Sequence, residues 1–426
     1  MSKTIAPLSN VPGPENITSF ILPNGIRVFS FHNPNVRSMV LIGILGGGAR
    51  LDTADRVGLA HFTANSLSRG TRDYNFQAFH HQLESIGANL SFGCGTQHAW
   101  MNAKSLREDA DTVFYLAAQG LRFPRFEEKY INRLRAQLLA GLAIRDQDTE
   151  ERASMRFDQM LYQGHPYGFP VDGFTETIQA INSAEIIHFH HRHYHPEQLT
   201  MVVAGAVLPQ RVKQLTEKYF ADWEASRQPD APIPPLPQPP TQLLQEHTTL
   251  AGKSQADLVM GTFGPARMDA DFLPAYLGNH ILGQFGLMGR IGKIVRSQSG
   301  LAYYASSSIS AWADVGAWSF SAGVNPANKD KVVNLIRTQI AEFITNPVTK
   351  EELTNSASHL IGRMPMSLES NEGIANAILR MVRFDLGLDY YQNYASIIQS
   401  ITAKDILVAA KKYLNPDMLL ISSAGP

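Results

Sequence analysis

Val57-Gly58-Leu59-Ala60-His61-Phe62-Thr63-Ala64-Asn65, closed by Ser68-Arg69-Gly70-Thr71, is the stretch on which the reading of this chain turns. On a helix, residues four apart share one face, so His61 and Asn65 point the same way. Ala64 stands immediately before Asn65. A single imidazole is therefore flanked by a methyl group and a carboxamide, neither of which ionises.

Around this stretch lies an ordinary globular composition. The chain has 426 residues, 44% hydrophobic and 18% charged, enough for two or more domains with their own cores. A formal net charge of -1 gives no reason to expect nucleic acid or an anionic membrane as partner. No apolar run approaches the roughly 20 residues of a membrane span. Met1 to Pro14 is polar and lacks an apolar h-region, so no secretory signal is expected. The single Cys94 excludes an internal disulfide and any multi-cysteine metal site. A cytoplasmic location is the expectation.

The order of elements repeats. Asn24-Gly25 between Phe20-Ile21-Leu22 and Ile26-Arg27-Val28-Phe29 predicts a hairpin, and Gly46-Gly47-Gly48 ends the next strand. Alternation through Ala88–Phe92 and Ala99–Ala103 precedes a helix over 109–120, a proline turn at Phe123-Pro124, and a helix through Leu142. In the second half a strand over 316–322 precedes a helix over 329–344, a proline turn at Asn346-Pro347, and a helix to Ile361. Ser183 before Ala184-Glu185 predicts a helix N-cap. Strand, helix, proline turn, helix thus occurs twice. The fold class expected is α+β, with two homologous domains, each with helices packed on a largely antiparallel sheet. Between them, Trp223 to Gln245 carries prolines at 229, 232, 234, 235, 237, 239 and 240, an extended connector. The domains expected are 1–222 and 246–426, with residues 223–245 linking them.

Several pieces in this order carry a family resemblance. Asn24-Gly25-Ile26-Arg27-Val28, Gly58-Leu59-Ala60-His61-Phe62 with Gly70-Thr71, His165-Pro166-Tyr167-Gly168, Tyr194-His195-Pro196-Glu197 and Leu199–Gly205 together resemble the pitrilysin, insulinase and mitochondrial processing peptidase family. The resemblance spans most of the chain. It implies two homologous domains, clamped against another chain around a peptide-holding chamber.

In that family the frame around His61 holds H-x-x-E-H, the motif of the inverted zincins. Hydrolysis with zinc needs three protein ligands, an open position for water, and a base. Here the motif is degenerate. Ala64 occupies the glutamate position and cannot accept a proton, and Asn65 occupies the second histidine position with a poor ligand. The family's third ligand is a glutamate roughly 75 residues downstream; the matching region, Arg133 to Ala143, has no carboxylate. No metal is expected on this chain, and zinc is expected in a partner. His81-Gln82-Leu83-Glu84 has H-x-x-E spacing without a second histidine, a coincidence. The run His188 to His195 could gather imidazoles, but a solvated polar face at a helix end explains it as well.

The second half carries Leu282-Gly283-Gln284-Phe285-Gly286-Leu287-Met288-Gly289-Arg290, then Arg296-Ser297-Gln298-Ser299-Gly300-Leu301-Ala302-Tyr303-Tyr304. The glycines point to close backbone approach or unusual dihedrals. Gly283, Gly286 and Gly289 are the candidate substrate-binding positions. R-x-x-x-G-L-A-Y is similar to the arginine and tyrosine that the family's second domain presents to the zinc site. Those residues are Arg296 and Tyr303 here, with Tyr304 the rival because strand neighbours face opposite ways.

The resemblance implies a non-zinc-binding subunit of a heterodimeric zinc metallopeptidase, inactive alone. It would supply Arg296, Tyr303 and half of a peptide chamber to a zinc-bearing partner. Short or unfolded peptides are the implied substrates, held partly by strand addition, and a homodimer is possible for the isolated chain. The alternative is a catalytically inert structural or peptide-binding scaffold, similar to the family's core subunits in respiratory complexes.

Overall fold

The computed structural model describes residues 11–225, 232–284 and 286–426. Met1–Asn10 and Ser226–Ala231, which includes Pro229 of the connector, lie outside the described residues, as does Phe285.

Eleven strands are described: β1 (Ile17–Ile21), β2 (Arg27–His32), β3 (Ser38–Gly47), β4 (Asn89–Cys94), β5 (His98–Leu106), β6 (Thr200–Gly205), β7 (Leu244–Thr249), β8 (Ala256–Gly264), β9 (Ala302–Ala311), β10 (Gly316–Val324) and β11 (Leu420–Gly425). In the first half the helices are α1 (Leu59–Ser66), α2 (Phe76–Ser85), α3 (Ala110–Arg122), α4 (Glu128–Arg145), α5 (Thr149–Leu161), α6 (Thr175–Ala180), α7 (Ser183–His193) and α8 (Pro209–Phe220). In the second they are α9 (Phe272–Asn279), α10 (Lys329–Thr345), α11 (Lys350–Ser367), α12 (Asn371–Arg383), α13 (Tyr390–Ser400) and α14 (Ala403–Tyr413).

The strand orders are β1-β2-β6-β3-β5-β4 and β7-β11-β8-β10-β9. Once the hairpin strand β1 is set aside, the second order is the first with every strand replaced by its counterpart five later. In each sheet the first strand of the half pairs in parallel with the last, β2 with β6 and β7 with β11. The remaining pairs are antiparallel. Identical winding of two chemically different halves is the mark of duplication, and the fold is α+β as expected.

Two compact units are present. The first takes in the chain up to Ala140, Pro170–Ile233 and Arg363–Asn393; the second takes in Gly141–Phe169, Pro234–Gly362 and Tyr394–Pro426. Each sheet is thus covered in part by a helix from the other half of the sequence. α12 packs on β6 and β3, whereas α5, its counterpart, packs on β11 and β8. In the second unit Val259, Ala317 and Leu420 meet Ala153, Phe157 and Leu161 of α5. On the opposite face Leu258, Met260, Trp318 and Phe320 meet α10 and α14. Burial on both faces explains why β6 and β11 have no exposed residue.

Local chemistry sets the boundaries. Gly25 at φ 92 makes the β1–β2 turn, its amide donating to the Leu22 carbonyl at 2.9 Å. Asn182, not Ser183, caps α7: its side chain accepts from the Glu185 amide at 3.1 Å, and Glu185 accepts from the Asn182 amide at 2.8 Å. The reciprocal pair satisfies two free helix-end donors where a serine one residue later satisfies none. Residues 232–240 form neither helix nor strand, in keeping with their prolines.

Candidate functional site

The motif helix α1 is held from below by a buried aspartate carboxyl group. Asp52 accepts from the Gly58 amide at 2.8 Å and the Ala60 amide at 2.9 Å, which satisfies donors that a helix start leaves free. Burial pushes the Asp52 carboxyl up to about 8, against the amides of Ala60, Gly58 and Leu59 that favour its charge. Gly58 makes the entry at φ 94, where a Cβ would lie 2.7 Å from Ile178 Cδ1 and 2.8 Å from the Gly173 Cα.

Along α1 the polar side chains turn back on their own helix. Asn65 Nδ2 donates to the His61 carbonyl at 2.8 Å, Thr63 Oγ1 to Leu59 at 2.8 Å, and Ser66 Oγ to Phe62 at 2.7 Å. The Asn65 carboxamide is engaged in the helix, and Ala64 is fully buried. His61 is half-buried, and its Nδ1 lies out of water without a hydrogen-bond partner. Burial holds His61 below the usual histidine range, with Asp172 pulling the other way. The Arg133–Ala143 stretch of α4 brings cations. Arg135 donates to the Ile178 carbonyl and lies over the Phe62 ring, 5.2 Å from its centroid. Arg69 Nη2 donates to Gln137 Oε1 at 2.9 Å. One imidazole, a buried methyl, a committed amide and guanidiniums do not make a zinc donor set. Among the described residues, no three His, Cys, Asp or Glu side chains cluster as a metal site would need.

In the second unit the glycine-rich segment is built from two π-helical turns, His280–Gln284 and Gly292–Gln298, around a 3₁₀ turn at Gly286–Met288. Such turns often mark functional sites. Two of the three glycines are required by contact. A Cβ on Gly283 would lie 2.6 Å from Ser307 Oγ, and one on Gly289 would lie 3.0 Å from the Gly283 Cα. Gly286 is left-handed at φ 57 and faces open space. Buried Asn279 ties the segment to the sheet. It accepts from Trp318 Nε1 at 3.0 Å, and its carbonyl accepts from Ser307 Oγ at 3.3 Å.

The two arginines of this segment have different tasks. Arg290 grips Glu352 with two hydrogen bonds of 2.7 and 2.9 Å. Burial works against the Glu352 charge, but Arg290 and the Thr349 amide outweigh it and hold the carboxyl down to about 2. Arg296 is exposed and forms no ion pair among the described residues. Gly300, at φ 61, donates its amide to the Arg296 carbonyl at 3.1 Å and turns the chain into β9.

The tyrosines are separated just as clearly. Pairing of β9 with β10 steps from Tyr304↔Gly323 to Ala302↔Val324, so Tyr303 is the extra residue of a bulge. Tyr303 is 61% exposed. Tyr304 donates to Asp257 Oδ1 at 2.9 Å and is spent on a buried network with Gln255 and Thr149.

A family model described as insulinase (peptidase family M16) matches residues 27–173, and one described as peptidase M16 inactive domain matches residues 180–360. The chain belongs to the M16 peptidase family. An uncharacterized zinc protease of Mycobacterium leprae is 26% identical over 401 residues, covering 92% of this chain and 88% of its own. The mitochondrial-processing peptidase subunit beta of Neurospora crassa is 22% identical over 420 residues, covering 95% and 87%. A crystal structure of a peptidase M16 inactive domain from Pseudomonas fluorescens superposes with a TM-score of 0.89 at 24% identity, covering 96% of this chain and 98% of that one. That likeness concerns the fold.

Two histidines of the 188–195 run in this M16 chain bond to backbone carbonyls. His190 Nε2 bonds the Leu121 carbonyl at 2.8 Å, and His195 Nε2 bonds the Arg192 carbonyl at 2.7 Å. His190, His193 and His195 are buried, so the run is not the solvated face that its polarity suggested; only His188 and His191 are exposed. Burial takes His190 down to about 4. Sequence reasoning passed over Asp52, Asn279 and the Arg290–Glu352 clamp. Each pairs residues distant in sequence or lies outside the quoted motifs. Among the described residues no helix is long and apolar enough to cross a membrane.

Proposed function

We propose that this M16 chain is the non-zinc-binding subunit of a heterodimeric metallopeptidase. In this reading it supplies Arg296, Tyr303 and half of a peptide chamber to a homologous partner that carries the metal and the base. The observation that carries the reading is an asymmetry within one chain. The motif helix has its polar groups committed to itself, with Asn65 on the His61 carbonyl, while Arg296 and Tyr303 stand exposed and uncommitted beside residues that do the structural work.

The roles follow from the side chains. A guanidinium presents a fixed fork of donors that can hold a substrate carbonyl. A phenol can donate to the oxyanion that develops as a peptide carbonyl is attacked. The partner's metal supplies the Lewis acid. Gly283, Gly286 and Gly289 let the backbone of the segment approach an extended peptide closely. Resemblance to a protein named as a processing-peptidase subunit supports a subunit role.

The test is peptide hydrolysis by the purified chain, alone and mixed with a zinc-bearing M16 subunit. The chain alone is inactive with or without added zinc, and activity appears on mixing. Zinc-dependent hydrolysis by the isolated chain contradicts the proposal. Full activity of the mixture with Arg296→Ala favours an inert scaffold instead.

A further inference from the structure

One cluster of charge in the first unit is absorbed by neither the fold nor the proposed peptidase role. Most arginines around it have a carboxylate: Arg72 pairs with Asp73 at 3.2 Å, Arg122 with Asp222 at 2.7 Å, and Arg125 with Glu127 at 3.6 Å. Arg69 and Arg133 pair with none among the described residues. They come together on the ring of Phe76, their guanidinium carbons 5.4 and 5.9 Å from its centroid. His80 meets the same ring edge-on at 4.5 Å, and Tyr130 meets it at 5.4 Å.

Phe76 and His80 also line an open groove of about 810 Å³ along α2, together with Asn75, His81, Gln82 and Glu84. Glu84 is the one carboxylate lining it. Burial and then the Arg133 charge depress Arg69, and burial and then the Arg69 charge depress His80. Arg69 thus feels a neighbouring positive charge with no acid acting against it, whereas Glu84 partly offsets the effect at His80. Two guanidiniums gathered at one aromatic ring, with polar hydrogen-bonding groups along the adjoining groove, make a receptor for a planar oxyanion.

We propose that this arginine pair and the groove beside it recognise acidic peptide segments, an Asp or Glu carboxylate seating between Arg69 and Arg133 at the Phe76 ring and the flanking residues lying along α2. The ligand class is a carboxylate-rich peptide. Binding needs neither the partner subunit nor Arg296 and Tyr303, so the assignment stands or falls separately from the proposed peptidase role.

The experiment is fluorescence anisotropy of the isolated full chain with a labelled oligoglutamate and, separately, a labelled oligolysine. The oligoglutamate binds, the oligolysine does not, and added salt weakens the complex. Arg133→Glu reverses an exposed charge on a helix and leaves the fold intact by circular dichroism; it weakens oligoglutamate binding by about tenfold or more. Arg69→Gln acts in the same direction. Equal affinity for the two peptides, or unchanged oligoglutamate affinity in a folded Arg133→Glu variant, overturns the proposal. Displacement of the peptide by inorganic phosphate at matched concentration overturns the peptide assignment in favour of a small-oxyanion site.

Discussion

The Asn65 side chain donates to the backbone carbonyl of His61 at 2.8 Å, one helical turn earlier, where a second metal ligand would have to point away from the helix. The bond closes the motif on itself. Writing H-x-x-E-H onto α1 should therefore not create a metal site. Ala64→Glu with Asn65→His places a carboxylate where Ala64 has no exposed surface, and destabilisation of about 2–4 kcal/mol is expected from overpacking and burial of charge. Zinc analysis of the purified double variant should find no stoichiometric metal, because α4 still lacks the third carboxylate. Tight, stoichiometric zinc would show that α1 and its neighbours do hold a ligand set.

Asp52 gives stability a pH dependence of defined sign. Its carboxyl is raised by burial from 3.8 to about 8, so the folded state binds its proton more tightly than the unfolded chain does. That contribution is fully present below the unfolded value and is lost as pH rises through about 8. Asp52→Asn removes the titration. Denaturant midpoints measured across this range should fall with rising pH in the parent and vary less in the variant.

The two tyrosines should separate stability from activity. Tyr304→Phe removes a donor from buried Asp257 and should cost about 1–3 kcal/mol by chemical denaturation. Tyr303→Phe removes an exposed hydroxyl and should leave the denaturation curve unchanged. Reversal of that order would mean the strand faces have been assigned the wrong way round.

Gly283→Ala should lower thermal stability more than Gly286→Ala does. The first puts a methyl 2.6 Å from Ser307 Oγ, against an Asn279–Ser307–Trp318 network that holds the backbone in place. The second faces open space and bears only the left-handed strain of about 1–2 kcal/mol. Calorimetry of both variants checks the order.

The duplicated order of strands and helices was legible because hydrophobic period and proline turns are local. α10 begins at the expected Lys329, and α3 starts one residue after the expected 109. Which helix covers which sheet was not legible. α5 and α12 are both amphipathic, and only the folded chain pairs them with the sheet of the opposite half. At the site, spacing distinguished Tyr303 from Tyr304 by family pattern alone; the structure adds the bulge and the Asp257 bond. Arg290 and Arg296 look equivalent in sequence, and the bidentate grip on Glu352, 62 residues away, tells them apart. The basic cluster on Phe76 was hidden for the same reason, since Arg69 and Arg133 meet only in space.

In the proposed role this chain lacks the metal chemistry yet contributes to the transition state in a partner's site. The most direct test of that role is kcat for peptide hydrolysis by the heterodimer formed with a zinc-bearing M16 subunit, with Tyr303→Phe introduced in this chain only. A fall of about 10²–10³ in kcat at unchanged zinc content and unchanged dimer formation is predicted. Unaltered kcat in a fully assembled, zinc-loaded heterodimer would contradict the account.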